Sequence, residues 1–133
     1  MGFRLEWYRP IDLDAAFSDR RRREFIVGIC RAHLGACPED RETLLVLGNV
    51  LTSLGQHEEA LVADARLAGL SPDDPVAAYN LACSYSNLSR IDEALAALAR
   101  AIELVYDDRE FMDSDPDLDN VRRDPRYAAF RTQ

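Results

Sequence analysis

The sequence predicts an all-α solenoid of antiparallel helix hairpins, and two observations carry this prediction. One pattern of apolar and small residues is written twice between positions 41 and 106, with a constant period of about 34 residues. A fixed period of this length is typical of stacked helical hairpins, none of which can bury its apolar face alone. Prolines also lie at the positions where helices are expected to end or begin. The paired positions are Leu47 and Leu81, Gly48 and Ala82, Leu51 and Tyr85, Leu54 and Leu88, Glu59 and Glu93, Ala60 and Ala94, and Leu61 and Leu95.

Local signals set the helix boundaries. The residue before a proline is pushed out of the helical region, so Cys37 and Ser71 are each expected to end a helix. Asp74 precedes Pro75 and is expected to cap the helix that this proline begins. The predicted helices span 20–36, 39–54, 57–70, 75–88 and 91 to 105 or 106, preceded by a short helix near 11–18.

The N-terminal part repeats the pattern imperfectly. Leu13 and Phe17 fall one period before Leu47 and Leu51, but Asp14 stands where Gly48 allows two helices to approach closely. Residues 11–38 are therefore predicted to be a degenerate repeat, the alternative being one helix that runs through the four arginines at 20–23. Residues 1–10 are interpreted as an extended arm whose aromatic side chains lie on the first helices, although their alternation also fits a short strand.

The C-terminal part, residues 107–133, is predicted to be an acidic linker followed by short capping helices. Asp115-Pro116 and Asp124-Pro125 each read as an N-cap followed by a helix-starting proline. Short apolar stripes follow each pair, and a terminal hairpin needs a cover for its exposed flank. The stripe residues are Leu118, Val121, Tyr127 and Phe130.

The spacing Leu44-x2-Leu47-Gly48-x2-Leu51, followed by Ala60 and Pro72, resembles the tetratricopeptide repeat. The string from Asp115 to Tyr127 is similar to a capping segment found after the last repeat in many bacterial proteins of this family. The resemblance implies a single domain over 1–133, with a right-handed superhelix built from regular repeats at 41–74 and 75–106. It also implies a surface for another protein, with no enzymatic activity.

In this family the first helices of successive hairpins line the concave groove, and the resemblance transfers that role to eight positions. Asn49 and Asn80 match the paired asparagines of members that clamp a peptide carboxylate. The basic residues of that clamp are missing, because Leu45, Glu110 and Ser114 occupy their positions, so an acidic C-terminal peptide is a poor candidate ligand. The groove is expected to be neutral and partly apolar. The expected groove residues are Leu45, Asn49, Thr52, Val76, Tyr79, Asn80, Cys83 and Ser86.

Asp64 departs from the repeat pattern. It lies three positions after Leu61, where the motif favours an aromatic side chain and Leu98 supplies an apolar one in the next repeat. Because a lone buried carboxylate is costly, Asp64 is expected to be paired or to face water.

Composition narrows the function classes. A formal charge of −8 argues against nucleic acid as a partner, and the arginines at 20–23 are more typical of a solvated turn. The 16 cationic residues are all arginine, which excludes lysine chemistry, and two histidines without a companion motif indicate no enzyme. Three cysteines, no apolar leader and no membrane-spanning run indicate a cytoplasmic protein, with no membrane partner.

Two groups of residues resemble metal sites but have simpler interpretations, and no cofactor is expected. Cys30, His33 and Cys37 share one helical face, but zinc needs a fourth ligand that the nearby sequence does not offer. The aspartates of the C-terminal part imitate a calcium loop, yet Leu118 stands where such a loop requires glycine. The aspartates concerned are Asp113, Asp115, Asp117 and Asp124.

The function predicted from the sequence is therefore a non-catalytic adaptor that binds a peptide segment of a partner protein in the concave groove. The principal alternative is a structural unit that forms a homodimer through its N-terminal arm and degenerate flank. A metal protein built on Cys30, His33 and Cys37 is a distant third.

Overall fold

The structure is a computed structural model that describes residues 20–131. Within this range it is helical throughout, and the predicted all-α solenoid of helix hairpins is confirmed. Two short 3-10 turns, at Pro116–Leu118 and Pro125–Phe130, flank the last helix. The helices are α1 (Arg20–Ala36), α2 (Arg41–Ser53), α3 (His57–Leu70), α4 (Pro75–Asn87), α5 (Ile91–Glu103), α6 (Arg109–Ser114) and α7 (Asp119–Arg122).

The helix starts follow the local sequence signals. Asp40 caps α2 by accepting a hydrogen bond from the Thr43 backbone N–H, and Asp74 caps α4 by accepting one from the Val76 N–H at 2.9 Å. Pro75 occupies the first turn of α4, where its missing N–H leaves no intrahelical bond unmade. Helices α1 and α3 have the predicted bounds. Helices α2, α4 and α5 end one to three residues earlier than expected, and α2 also begins two residues later, at Arg41.

The first helix of each regular hairpin is followed by the same backbone turn. Gly55 after α2 has φ of 75°, in the left-handed region that glycine adopts without steric cost. Ser89 stands at the equivalent position after α4, one period later, and has φ of 58°. The period in the sequence therefore extends to the backbone conformation, although the second repeat has serine where the first has glycine.

The hairpins pack as α2 on α3 and α4 on α5, while α1 packs on α2 and α3 packs on α4. Ala60 and Ala94 are fully buried, which is consistent with small side chains where helices approach closely. A further pair of contacts repeats with the period: Arg66 donates to the Pro38 carbonyl at 2.6 Å, and Arg100 donates to the Pro72 carbonyl at 3.2 Å. Each arginine thus ties the second helix of a hairpin to the loop before its first helix.

The equivalent leucines of the two repeats are not buried equally. Leu47 is 7% exposed and belongs to the core of α1, α2 and α3, as expected. The repeat predicts the same burial for Leu81, but Leu81 is only partly buried and packs at the margin of the core formed by α4, α5 and the C-terminal segment. The phase of the repeat is retained, but its second copy buries other side chains more deeply, among them Ala82 and Leu98.

The C-terminal segment, defined here as Arg109–Phe130, folds back onto the last hairpin. The sequence predicts a cover for the flank of α5; in the structure the segment also packs against α4. Its apolar side chains complete the core of this hairpin. The most deeply buried of them are Met112, Leu118, Val121 and Tyr127.

The first predicted repeat is only partly covered by the structure. Helix α1 corresponds to its second helix. The arm at 1–10 and the short helix predicted near 11–18 lie outside the described residues, as does the choice between a true repeat and one longer helix. In the described range 20–131, no helix is long and apolar enough to cross a membrane.

Candidate functional site

A cavity of about 200 Å³ opens where α2, α4 and the C-terminal segment meet. It is called the acidic pocket here because three carboxylates from two parts of the chain contribute to its wall. Helices α2 and α4 provide amide, hydroxyl and aromatic groups on the other sides. The lining residues are Asn49, Thr52, Asp64, Tyr79, Asn80, Cys83, Phe111, Asp115 and Asp117.

Asp115 anchors the C-terminal side of the pocket. It precedes Pro116, and its Oδ1 accepts a hydrogen bond from the Asp117 backbone N–H at 3.0 Å, which is the N-cap that the sequence predicts. Its Oδ2 accepts a hydrogen bond from the Tyr79 hydroxyl at 2.5 Å and a weaker one from the Cys83 thiol at 3.8 Å. The buried Asp115 carboxylate therefore fastens the C-terminal segment to α4.

Asp64 is the most deeply buried carboxylate of the pocket, with 2% of its surface exposed. The Ser84 hydroxyl donates to its Oδ2 at 2.6 Å, whereas its Oδ1 has no hydrogen-bond partner. Burial raises the pKa of Asp64 to about 6, the Ser84 hydrogen bond opposing this shift and the charge of Asp117 adding to it. Asp64 is thus paired through one oxygen only, and it also contributes to the wall of the cavity.

Asp117 lies nearer the opening and is half-buried. The Asn87 side-chain amide donates to its Oδ1 at 3.2 Å. Burial raises the pKa of Asp117, while the Asn87 hydrogen bond opposes the shift and the charge of Asp115 reinforces it. No residue that lines the pocket carries a positive charge, so the carboxylates are not neutralised from within its wall.

Aromatic rings form one side of the pocket. Tyr79 stacks on Tyr106, with ring centroids 4.3 Å apart and planes nearly parallel. Phe111 packs at an angle to Tyr79, with centroids 6.4 Å apart, and remains 47% exposed. Burial raises the pKa values of the Tyr79 hydroxyl and the Cys83 thiol far above their ordinary range, so neither group is a nucleophile at neutral pH. The pocket therefore offers hydrogen-bond acceptors and an aromatic face.

Comparison with known proteins identifies the repeat. A family model described as "Tetratricopeptide repeat" matches residues 76–105, which include most of α4 and all of α5. A TPR repeat-containing protein of Picosynechococcus sp. is 36% identical over 67 residues, covering 50% of this chain and 17% of that protein. This chain contains a tetratricopeptide repeat at residues 76–105.

A chloroplastic protein of Arabidopsis thaliana is also similar to this chain. The two are 37% identical over 96 residues, which is 70% of this chain and 29% of the plant protein. The chain thus spans less than a third of the length of either relative. No solved structure matches it significantly.

The eight expected groove residues do not form one open surface. Asn49, Thr52 and Asn80 line the acidic pocket and are accessible at its rim. Leu45 lines a neighbouring depression on α2, and Val76 is 44% exposed. The remaining three lie beneath the C-terminal segment and are buried. They are Tyr79, Cys83 and Ser86.

Ser86 shows why the covered residues are closed to a partner in this conformation. Its hydroxyl accepts a hydrogen bond from the Val121 backbone N–H at 3.2 Å, and its carbonyl accepts one from the Asn120 side chain at 2.9 Å. The C-terminal segment thus occupies part of the face of α4 that the resemblance assigns to the groove. The accessible groove is confined to the side of α4 that faces α2.

The groove is expected to be neutral, but the cavity between α2 and α4 is acidic, because Asp64, Asp115 and Asp117 line it. The motif marks Asp64 as a departure from the repeat without placing its charge in the groove. Asp115 and Asp117 belong to the predicted cap, for which the sequence indicates no contact with the concave side. Two features of the sequence could have indicated the acidic groove: Pro116 next to these aspartates, and the acidic composition of the chain.

The candidate metal ligands of the sequence are not brought together. In the described chain, the His33 Nε2 lies 2.6 Å from the Asp40 Oδ2, Cys30 is buried and Cys37 is exposed. The Cys30, His33 and Cys37 side chains do not form a group that could hold one ion, whereas atoms of Cys83, Asp115 and Asp117 lie within 4.8 Å of one another.

The calcium-like loop is likewise not formed. The Asp113 Oδ1 accepts a hydrogen bond from the Tyr127 hydroxyl at 3.0 Å, and Asp124 caps the final 3-10 turn and pairs with Arg126. Each aspartate therefore has a local structural role.

Proposed function

We propose that this protein is a non-catalytic adaptor that binds an extended segment of a partner protein in the groove between α2 and α4. The observation that carries the proposal is the position of Asn49 and Asn80, which line one cavity from neighbouring first helices. Neither side chain makes a hydrogen bond within residues 20–131. Tetratricopeptide repeats generally mediate interactions between proteins, which supports the same conclusion.

The amide chemistry of the two asparagines suits a peptide backbone. Each side chain offers a donor and an acceptor, so it pairs with a main-chain carbonyl and N–H without requiring a particular partner side chain. Leu45 and Val76 flank the asparagines along the groove and supply apolar contacts. Partner selectivity would then depend on these contacts and on the acidic pocket.

The proposal is tested with Asn80→Ala in affinity capture and in a subsequent binding titration with the captured partner. Loss of a hydrogen-bonding group from the groove is expected to weaken binding by about 1–3 kcal/mol. Thermal stability should change little, because the Asn80 side chain makes no hydrogen bond in the described structure.

Glu58→Ala serves as the control and should bind normally, because Glu58 is exposed at the start of α3, outside the groove. Normal binding by Asn80→Ala together with reduced stability would assign Asn80 a structural role and contradict the proposed groove.

Self-association is a second candidate function, favoured by an exposed apolar surface at the N-terminal end of the described chain. Phe25 and Ile29 lie one turn apart on α1 and are 69% and 54% exposed, while Val46 on α2 is 40% exposed. Ile29 and Val46 also line a shared, largely open cavity of about 390 Å³. Apolar surface of this kind is a common feature of protein interfaces.

The oligomeric state distinguishes this alternative. If copies of the chain associate through α1, light scattering should give a dimer that Ile29→Glu converts to a monomer. Val62→Glu introduces the same change at a position that is 64% exposed on α3 and should leave the dimer intact. A monomer at all concentrations would exclude the self-association function.

The three cysteines are free, with Cys30 and Cys83 buried and Cys37 exposed. An exposed free thiol persists in a reducing compartment, which supports our proposal of a cytoplasmic location. The formal charge of −8 supports a partner other than nucleic acid.

A further inference from the structure

Some carboxylate oxygens of the acidic pocket have no hydrogen-bond donor among the described residues. Asp64 is 2% exposed with its Oδ1 unpaired, and the second oxygen of Asp117 accepts no hydrogen bond within the described chain. Buried carboxylates of native proteins are normally paired with a cation or fully hydrogen-bonded. The residues lining the cavity provide no cation, so the pocket is electrostatically incomplete as it stands.

The three carboxylates come from two distant parts of the chain that meet at one cavity. Asp64 lies on α3, whereas Asp115 and Asp117 lie in the C-terminal segment, which follows α5. Asp115 is held by Tyr79, Asp64 by Ser84 and Asp117 by Asn87, so each carboxylate is fixed in position. This arrangement is pre-organised, and a cation entering the cavity meets acceptors that need not be reordered.

We propose that the acidic pocket receives the side chain of an arginine carried by the bound partner segment. This inference rests on the proposed function, since it assigns a chemistry to the partner that the groove binds. A guanidinium group presents five N–H donors in a planar fork that matches carboxylate oxygens. Asp117 is the accessible carboxylate for this pairing, and Asp64 and Asp115 add negative charge from deeper in the cavity.

The aromatic side of the pocket favours arginine over lysine. Phe111 lines the cavity and leaves almost half of its surface exposed, although large apolar side chains usually avoid water. A guanidinium plane stacks on an aromatic face while its edge donates hydrogen bonds, which an ammonium group does less well. Asn49 and Asn80 lie on the same cavity and are available for the backbone on either side of the arginine.

A divalent metal ion is the competing occupant, because Cys83, Asp115 and Asp117 lie close enough to share one. Metal ligation by cysteine requires the thiolate, and burial together with the neighbouring carboxylates raises the pKa of Cys83. Both oxygens of Asp115 already accept hydrogen bonds from Tyr79, Cys83 and the Asp117 backbone. An ion would have to share Asp115 with these donors, whereas an arginine can pair with Asp117, which accepts a single hydrogen bond within the described chain.

The test uses two small probes that differ in charge but not in shape. N-acetyl-arginine N-methylamide and its citrulline analogue are titrated into the isotopically labelled full chain, and amide resonances are followed by NMR. The arginine probe should shift the side-chain amide resonances of Asn49 and Asn80. The citrulline probe should bind at least about tenfold more weakly, since it keeps the shape but loses the charge-assisted hydrogen bonds.

Matched variants locate the binding. Asp117→Asn keeps the acceptor for Asn87 and should reduce affinity for the arginine probe by about tenfold. Asp92→Asn removes the same charge from a side chain that is 84% exposed and lies outside the pocket, and it should leave the affinity unchanged. Thermal melting of both variants checks that they fold. Equal affinity for the two probes, or no effect of Asp117→Asn, would overturn the inference.

Two further outcomes separate this inference from the proposed function. Stoichiometric binding of zinc sulfate to EDTA-treated protein, with loss of the arginine response, would identify a metal site and overturn the inference. A partner whose binding depends on Asn80 but not on the charge of Asp117 would support the adaptor function while rejecting arginine as its ligand. If the binding of a partner depends on neither residue, the groove is not its binding site and the proposed function is wrong.

Discussion

Asp64 illustrates how a single residue departs from its repeat for a reason that lies in a neighbouring helix. Its counterpart one period later is Leu98, which is fully buried in an apolar core. Asp64 is almost equally buried, and its hydrogen bond comes from Ser84 of the next hairpin. One neutral hydrogen-bond donor offsets only part of the desolvation of a carboxylate, so the charged form of Asp64 destabilises the fold.

Asp64→Asn should therefore stabilise the protein at neutral pH, by up to about 3 kcal/mol. The folded-state pKa of about 6 lies above the ordinary value of 3.8, so folding favours the protonated acid. That contribution is present below about pH 4 and is lost as the pH rises through about 6. Urea unfolding of both proteins should give similar free energies at about pH 4 and diverge by about pH 7. A difference that does not change with pH would show that Asp64 is not the titrating group.

Gly48→Ala should destabilise the protein by about 1–3 kcal/mol. A Cβ at position 48 would lie 2.1 Å from the Asp64 Oδ1 and 3.0 Å from its Cγ, so the buried Asp64 side chain would have to shift. Gly28→Ala is the matched control on α1, because its Cβ would meet nothing within 4 Å. That control should gain about 0.5–1 kcal/mol from helix propensity. Equal effects of the two substitutions in thermal melts would contradict the close contact.

Some individual residues of the candidate site could be predicted from the sequence. Asn49 and Asn80 reach one cavity because their position in the repeat determines their direction, and that position can be counted along the chain. The repeat pattern also marks Asp64 as unusual. It does not reveal Ser84 as the partner of Asp64, because the register between α3 and α4 depends on packing between hairpins.

The C-terminal segment is an element that depends on its surroundings for its structure. Its helical pieces are no longer than α6 and the final 3-10 turn, and helices of that size are not stable alone in water. Asp108, Asp115 and Asp124 cap successive pieces through their side chains. Packing of the apolar side chains on α4 and α5 supplies the remaining stabilisation.

Leu118→Ala should reduce stability by about 2–5 kcal/mol, since Leu118 is fully buried and its removal leaves a cavity. The loss should be accompanied by exposure of the apolar side of α4, detectable as increased binding of a hydrophobic dye. Val62→Ala, at a position that is 64% exposed, should change stability by less than about 0.5 kcal/mol. If Leu118→Ala melts like the control, the segment is an independent appendage.

The sequence predicted the long helices closely because prolines, capping aspartates and turn residues act locally. The short pieces of the C-terminal segment were also foreseen from Asp115-Pro116 and Asp124-Pro125. Their docking position was not foreseen, because it is decided by contacts such as those of Tyr79 and Ser86, which are far away along the chain.

Across the described chain the apolar core is divided rather than continuous. One cluster joins α4, α5 and the C-terminal segment, a second joins α1, α2 and α3, and a small third lies between them around Leu44, Leu67 and Ala77. Stability in such arrays is approximately a sum of local hairpin and interface terms. The last hairpin is covered by α3 on one side and by the C-terminal segment on the other, whereas α1 packs chiefly on α2 among the described elements.

Hydrogen exchange should therefore be slowest in α4 and α5, intermediate in α2 and α3, and fastest in α1. The expected order follows from the number of faces on which each helix is covered in the described structure. Mass spectrometry of peptic peptides would measure it, and Leu118→Ala should accelerate exchange in α4 while leaving α1 unaffected. Uniform exchange over all five long helices would indicate one cooperative unit instead of a graded array.

The fold-back of the C-terminal segment also determines how the array can be lengthened. A new hairpin attached after α5 would compete with Leu118 and Val121 for the surface that they already cover. A hairpin inserted at the loop between Ser71 and Asp74 would instead meet a repeat on each side, and the terminal cover would stay in place. Extension of the array by duplication or by engineering is therefore expected to succeed by internal insertion, with the C-terminal segment kept directly after the last hairpin.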